Sequence, residues 1–337
     1  MAECLELGLT SMTPPQTQPG PDLEFQALVR SRCAGNPKAI TELGARLCVG
    51  RDAPLAPVDG AALIAEAARQ GDAEAWAYMA VLAATGVGRS RSWRDALSAL
   101  DRATELGDSK ALRQQQLLRA MALDSDRDVE TWLAGSSGEI LFDAPRLVTH
   151  AGFLTPALCT YLMERAPSKL VEAKVYDAYA GGLKVDPMRT NKGAVFSLID
   201  TDLIIQLIRA RIARAAGVAP EALEPPEILH YAVGERYKPH VDFFHPSLPN
   251  FAEQMRLKGQ RIKTCLVYLN EDLEGGETEF PKIGVKFRGR IGDALIFQNV
   301  QADGTGDLRT LHAGLPPTRG EKWLLSQWIR NKPQPIA

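Results

Sequence analysis

Apolar positions change their rhythm along this chain. From about residue 23 the sequence is rich in Ala and Leu, with apolar residues three or four apart, a helical spacing. From residue 226 onward the apolar residues fall into short runs separated by turn-forming residues: EILHYAV, ERYKPHVDFF, RIKTCLVYLN, GVKFRG, DALIFQN, RTLHAGLP and EKWLLSQWIR. Many short runs of this kind predict strands of a β-sandwich or barrel. Between the two regions, LTPALCTYLMERA predicts a helix with Thr155 as N-cap and Pro156 in its first turn. A further helix is expected over 200–215, where Ile204, Leu207, Ile208 and Ile212 fall at helical spacing. The intervening ALDSDRDVETWLAGSS reads as a linker or short helix, and GGLKVDPMRT (181–190) as a mobile loop.

The helical region repeats. Gly35, Gly71 and Gly107 recur at a spacing of 36, as do Ala39, Ala75 and Ala111, and Gly50 matches Gly86. Each Gly followed by Asn or Asp predicts a stop and a start: the Gly ends one helix and the polar residue caps the next. A small Ala at fixed register lets paired helices approach closely. A period in the thirties with two helices per unit predicts an α-solenoid over residues 23–122. The pattern resembles the Sel-type subfamily of tetratricopeptide-like repeats. Ahead of it, PPQTQPGPDL makes residues 1–22 an expected disordered leader.

Composition narrows the class. The 337 residues suggest two domains, and 45% hydrophobic with 24% charged residues is an ordinary globular balance. A net charge of −2 gives no support to a nucleic-acid partner. No apolar run reaches the ~20 residues of a membrane span. MAECLELGLTSM lacks the basic and apolar segments of a secretory signal, and five scattered cysteines form no C-x-x-C pair. A cytoplasmic protein with free thiols is the expectation.

The candidate chemistry sits in the β-rich region. His240 and Asp242 stand two apart, so on a strand they project from one face. His312 follows some seventy residues later in another β-type run. Two His and one carboxylate can fill one face of an octahedral metal and leave positions open, as in non-haem Fe(II) oxygenases. Zinc fits less well, since it favours four-coordination with three protein ligands and a water. The pair alone also reads as a structural His beside an unrelated Asp. Ten residues beyond His312, Lys322 shares a strand face with Leu324, Ser326 and Trp328. It reads either as a solvent-facing strand start or as a buried cation needing an anion, which a dicarboxylate would supply.

Taken in order, LHYAVGERYKPHVDFF, GQRIKTCLVYLNEDLEGGETEFP, IGDALIFQN, DLRTLHAGLP and GEKWLLSQWIR resemble the catalytic domain of prolyl 4-hydroxylases, within the iron- and 2-oxoglutarate-dependent dioxygenases. The resemblance extends upstream through PRLVTHAGFLTPALCTYLMERA and DPMRTNKGAVFSL, covering about residues 140–332. It implies a double-stranded β-helix (jelly-roll) fold. It implies iron on His240, Asp242 and His312, with Lys322 on the far carboxylate of 2-oxoglutarate, and Tyr231 and Thr278 as hydrogen-bonding neighbours. Arg261, Tyr237 and Trp328 match positions on the substrate side. Fe(II), 2-oxoglutarate and O2 are the implied cofactors, with L-ascorbate as a candidate addition.

The expected architecture is therefore α+β: a leader, repeats over 23–122, a linker over 123–139 and a dioxygenase domain over 140–333. Prolyl hydroxylation of a peptide or protein is the leading function, and the repeats are expected to recruit that substrate or a partner. Hydroxylation of a free amino acid or small metabolite, or a repeat-based adaptor with an oxygen- or iron-sensing jelly roll, are the alternatives; the oligomeric state is open. His150 and His230 are expected to be structural, and His245 to fall off the face of Asp242. Gly275–Gly276 and Gly292–Asp293 read as turns, and the segment 245–260 as a loop beside the metal strand. Arg330, after Trp-Ile, is expected to add a charge near the substrate mouth.

Overall fold

The computed structural model describes residues 23–177 and 179–335, so the leader lies outside the described residues. The chain divides into two compact units. One takes the described residues up to Thr131 together with Ser197–Leu207; the other takes Trp132–Phe196 and Ile208–Pro335.

In the first unit, six helices follow one another: Leu23–Cys33, Pro37–Val49, Pro57–Arg69, Ala73–Thr85, Trp93–Glu105 and Ser109–Ala120. The repeat punctuation works as the residues dictate. Gly35, Gly71 and Gly107 take φ of 75°, 89° and 90°, which side chains resist. The next residue then caps a helix: Asn36 Oδ1 accepts from the N–H of Lys38, and Asp72 and Asp108 accept from those of Ala75 and Ala111 at 2.7 Å. Gly50 and Gly86 close their helices in the left-handed region. Ala39, Ala75 and Ala111 are buried. The tightest approach joins Pro37–Val49 to Pro57–Arg69: a Cβ on Gly60 would lie 2.5 Å from the Gly44 carbonyl oxygen. One period on, the corresponding residues are Ala80 and Ala96, both buried.

Ser197–Leu207 was expected inside the β-rich domain, yet it belongs to the helical unit. Leu198 joins a core with Ile40, Leu43 and Leu47. Arg51 donates to Asp200 at 2.8 Å, and buried Gln114 accepts from the N–H of Leu203 at 3.0 Å. These partners lie 89 to 149 residues away, so no local pattern marks the excursion.

The second unit is the jelly roll. An eight-stranded sheet runs in the order Glu139–Phe142, Leu147–His150, Ala294–Gln298, Arg261–Tyr268, Lys322–Arg330, Glu227–Tyr231, Lys192–Val195 and Val171–Glu172. A four-stranded sheet runs Val285–Phe287, Thr278–Phe280, His312–Gly314 and Tyr237–His240. The two meet through Leu147, Leu266, Leu295, Phe297 and Phe280, with the rings of Phe280 and Phe297 edge to face at 5.1 Å. Helix Pro156–Arg165 starts as expected, with the Thr155 hydroxyl accepting from the N–H of Leu158. The second expected helix spans Leu203–Ala216, and Ile204, Leu207, Ile208 and Ile212 are buried.

The segment read as a linker or short helix contains the helix Asp126–Ala134, begun by the Ser125 hydroxyl accepting from the N–H of Asp128. Two segments differ from expectation. The expected loop at 181–190 is half of a β-ribbon, Leu183–Val185 pairing with Lys174–Tyr176. Asp177 makes its turn by accepting from the N–H groups of Tyr179 and Ala180. The segment 245–260 holds the helix Pro249–Lys258, with Pro249 in the first turn.

Candidate metal and cosubstrate site

Antiparallel pairing of Tyr237–His240 with His312–Gly314 sets His240 directly opposite His312. Asp242 lies two residues beyond the end of its strand rather than within it. Its carboxylate still turns to the same point: Oδ1 is 3.7 Å from His240 Nε2 and Oδ2 is 3.7 Å from His312 Nε2. One ligand atom from each of the three lies within 4.8 Å of the others.

The surroundings prepare these groups for a cation. His240 Nδ1 faces the Lys238 carbonyl and His312 Nδ1 the Thr310 carbonyl, both at 2.9 Å. A carbonyl only accepts, so each Nδ1 carries a proton and each Nε2 is left as the atom turned to the shared point. Burial, reinforced by His312, pushes the His240 pKa down to about 3, which keeps the ring neutral. Burial alone would raise Asp242, but the two histidines, Arg261 and the Thr264 hydroxyl outweigh it and hold the carboxyl ionised. Thr264 donates to Asp242 Oδ2 at 2.6 Å and accepts from the Asn299 amide at 2.9 Å, which fixes the carboxylate's orientation. Tyr237 stacks on His240 with ring centres 3.5 Å apart, while Phe297 and Phe280 wall in His312.

Beside the cluster is a narrow pocket whose lining includes Tyr231, Leu229, Thr278, Lys322 and Leu324. Lys322 is 1% exposed and its Nζ has no hydrogen-bond partner among the described residues. It lies 5.3 Å from the ring centre of Tyr231 and 5.8 Å from that of Tyr268. Burial pushes its pKa down to about 7, opposed only in part by Glu277. Gly276 turns the chain beside Lys322 with a φ of 72°, and a Cβ there would meet Leu273 Cδ1 at 2.8 Å. Thr278 shares a 2.8 Å hydrogen bond with the Tyr268 hydroxyl, which also donates to the Phe287 carbonyl.

Outward from the cluster opens a cavity of about 900 Å³ that reaches His240 and Asp242 and includes Tyr237, Arg261 and Trp328 in its wall. Arg261 grips Glu224 through two hydrogen bonds of 2.7 and 2.8 Å and lies over the Trp328 ring at 3.7 Å. Arg330 lines this cavity as expected, and its charge is paired. It is 3% exposed, donates to Glu224 at 2.5 Å and to the Gly259 carbonyl at 2.6 Å. One carboxylate therefore serves two guanidinium groups.

All nine residues singled out from the sequence thus line these two connected spaces. His245 bonds the Ser247 hydroxyl and lines the outer cavity, apart from the ligand cluster. His150 pairs with Ser136 and His230 with Glu321, as structural residues do. Thr264, Asn299, Tyr268 and Glu224 were missed. A signal existed for two of them: Thr264, Leu266 and Tyr268 alternate on the inner face of one strand.

Comparison with known proteins places these observations. The 2OG-Fe(II) oxygenase superfamily matches residues 226–330. Prolyl 4-hydroxylase 1 of Arabidopsis thaliana is 35% identical over 226 residues, which cover 62% of this chain and 77% of that protein. The viral collagen prolyl hydroxylase of Paramecium bursaria Chlorella virus-1, solved as its 2OG complex, is 25% identical; the match covers 56% of this chain and 98% of that one, with a TM-score of 0.43. A Sel1 repeat protein from Oxalobacter formigenes is 27% identical, covering 32% of this chain and 46% of that one, with a TM-score of 0.28.

Proposed function

This chain belongs to the prolyl 4-hydroxylase family of 2-oxoglutarate/iron(II) oxygenases, and on that premise we propose that it hydroxylates prolyl residues in a peptide or protein substrate. It is a 2-oxoglutarate-dependent dioxygenase whose cofactors are Fe(II), 2-oxoglutarate and O2. The observation that carries the reading is the orphaned ammonium of Lys322, buried beside a two-histidine, one-carboxylate cluster. Two imidazole nitrogens and one carboxylate suit Fe(II) and leave coordination positions open. A buried cation without a partner suits a dicarboxylate that reaches the same pocket.

When bound, Fe(II) with 2-oxoglutarate and O2 supplies the oxidising chemistry, and succinate is released. The chain's own residues supply position and dryness. His240, His312 and Asp242 would hold the iron, their orientation fixed by the Lys238 and Thr310 carbonyls and by Thr264. Lys322 would hold the far carboxylate, with Tyr231 and Thr278 as neighbours. Leu229, Leu266 and Leu324 exclude water from the inner pocket. Tyr237, Arg261 and Trp328 would receive the substrate in the outer cavity, whose size suits a peptide segment. Ascorbate as an added reductant and a cytoplasmic setting complete the proposal; the burial of Cys48, Cys159 and Cys265 as free thiols is consistent with a reducing compartment.

The test is succinate release with and without a proline-rich peptide, together with mass spectrometry of the peptide. Peptide-dependent succinate and a +16 Da shift on proline are expected, both lost in His312→Ala. Succinate release that ignores the peptide while no proline gains oxygen would overturn the substrate assignment.

A further inference from the structure

A second cavity, of about 380 Å³, lies on the other face of the eight-stranded sheet. Strand alternation separates it from the metal cluster. Along Ala294–Gln298, Phe297 packs on His312 while Ile296 and Gln298 line the second cavity. Along Arg261–Tyr268, Thr264 reaches Asp242 while its neighbour Lys263 lines the second cavity.

The charged lining is entirely basic. Arg146, Arg214 and Lys263 converge on this space, and no Asp or Glu is among the described residues that line it. Ser136, His150 and Gln298 add neutral polar groups. Burial and then Arg211 hold His150 below its usual pKa, so it brings no charge. The Arg214 guanidinium has no hydrogen-bond or ion-pair partner among the described residues. Arg146 has the solvent-exposed Asp143 at 3.6 Å, a carboxylate that lines the adjoining cavity and not this one. Lys263 gives one N–H to the Ala216 carbonyl at 2.6 Å. An ammonium has three donors, so two remain. Burial, and next Arg146, lower the pKa of Lys263, a sign that the two cations act on each other without a counter-charge between them. A neighbouring cavity of about 520 Å³ shares Arg146, Lys263 and Gln298, which sets the basic groups where two spaces join; its own lining adds Asp143, Asp307 and Arg309, so it suits an uncharged remainder rather than a second anionic group.

Three cations on one concave wall repel one another and focus a positive potential into the cavity. An anion relieves this. The cations come from three separate segments, which suits a tetrahedral dianion that accepts from several directions. A lone carboxylate is served by one planar fork. We propose that this cavity binds a phosphate-bearing small molecule, with Arg146, Arg214 and Lys263 on the phosphoryl oxygens and the adjoining cavity taking the remainder of the ligand. This inference is independent of the hydroxylase reading.

The test is calorimetric titration of the full-length protein with inorganic phosphate and with glycerol 2-phosphate, against acetate at matched ionic strength. Lys322→Ala serves as a parallel background that removes the unpaired ammonium of the cosubstrate pocket. Saturable one-site binding of both phosphates is expected in both backgrounds, weakened about tenfold or more in Arg146→Ala and Arg214→Ala, since a charge-assisted hydrogen bond is worth ~1.5–3 kcal/mol. Both arginines are exposed at the surface, and unchanged circular dichroism would show that the variants fold. Four results would each overturn the site: no saturable binding, equal binding of acetate, unchanged affinity in both arginine variants, or loss of binding in Lys322→Ala.

Discussion

Lys322 offers the most direct test at the scale of the residue. It must be charged to hold a carboxylate, and burial has brought its pKa to about 7 in the free protein. Below that pH the ammonium is already protonated. Above it, binding the anion requires uptake of a proton, so affinity for 2-oxoglutarate should fall about tenfold per pH unit. Lys322→Ala should abolish that slope and raise the KM for 2-oxoglutarate about a hundredfold or more, because a buried pair that loses one partner costs ~3–5 kcal/mol. Lys322→Arg should recover only part, since a planar fork does not replace a point charge. A KM profile from pH 6 to 9 reads all three, and an unchanged KM in Lys322→Ala would mean another group holds the carboxylate. Thr264→Val tests the support beneath Asp242. It keeps the side-chain shape but removes the 2.6 Å donor, so metal affinity should fall ~10–100-fold. Competition with a fluorescent chelator measures it. The metal ligands and Lys322 were legible through the ordered motifs that carry the family resemblance; spacing alone left them open, and Asp242 lies beyond the end of its strand. Thr264 and Asn299 were not, since Asp242, Thr264 and Asn299 meet across 22 and 35 residues of sequence. The place of Arg330 at the outer cavity was legible too, but its pairing was not, since its partner Glu224 is 106 positions away.

Elements were legible where their own residues punctuate them. The Gly-Asn and Gly-Asp pairs fixed the starts of three helices before any contact was known, because the left-handed turn and the cap are local chemistry. Asp72→Ala should lower stability by ~1 kcal/mol through loss of its 2.7 Å cap. Gly60→Ala should cost more, ~1–3 kcal/mol, since its new Cβ meets backbone rather than a flexible side chain. Thermal melts rank the two, and the reverse order would mean that the two helices can spread apart cheaply. The helix Pro249–Lys258 and the ribbon Lys174–Tyr176 with Leu183–Val185 escaped detection for a shared physical reason. The helix has no buried residue, and the ribbon's strands are exposed or only half-buried. Neither shows the apolar stripe from which periodicity is read.

For the whole molecule, the division into units matters more than the count of domains. A deletion of residues 1–125 would seem a clean way to ask whether the repeats recruit substrate. It would also strip Leu198 of Ile40, Leu43 and Leu47, and Leu203 of its Gln114 acceptor. The truncated protein should therefore melt lower and expose apolar surface, visible as dye binding at a temperature the full chain tolerates. A truncated protein with an unshifted melt would mean that Ser197–Leu207 holds its conformation without the repeats. The same excursion bears on the order of synthesis. A ribosome releases the repeat helices first, but the core they build lacks Leu198, and Gln114 lacks its donor, until residue 207 has emerged. The N-terminal unit thus waits, incomplete, on a segment made long after it. Nascent chains stalled before and after that point should differ sharply in their resistance to protease.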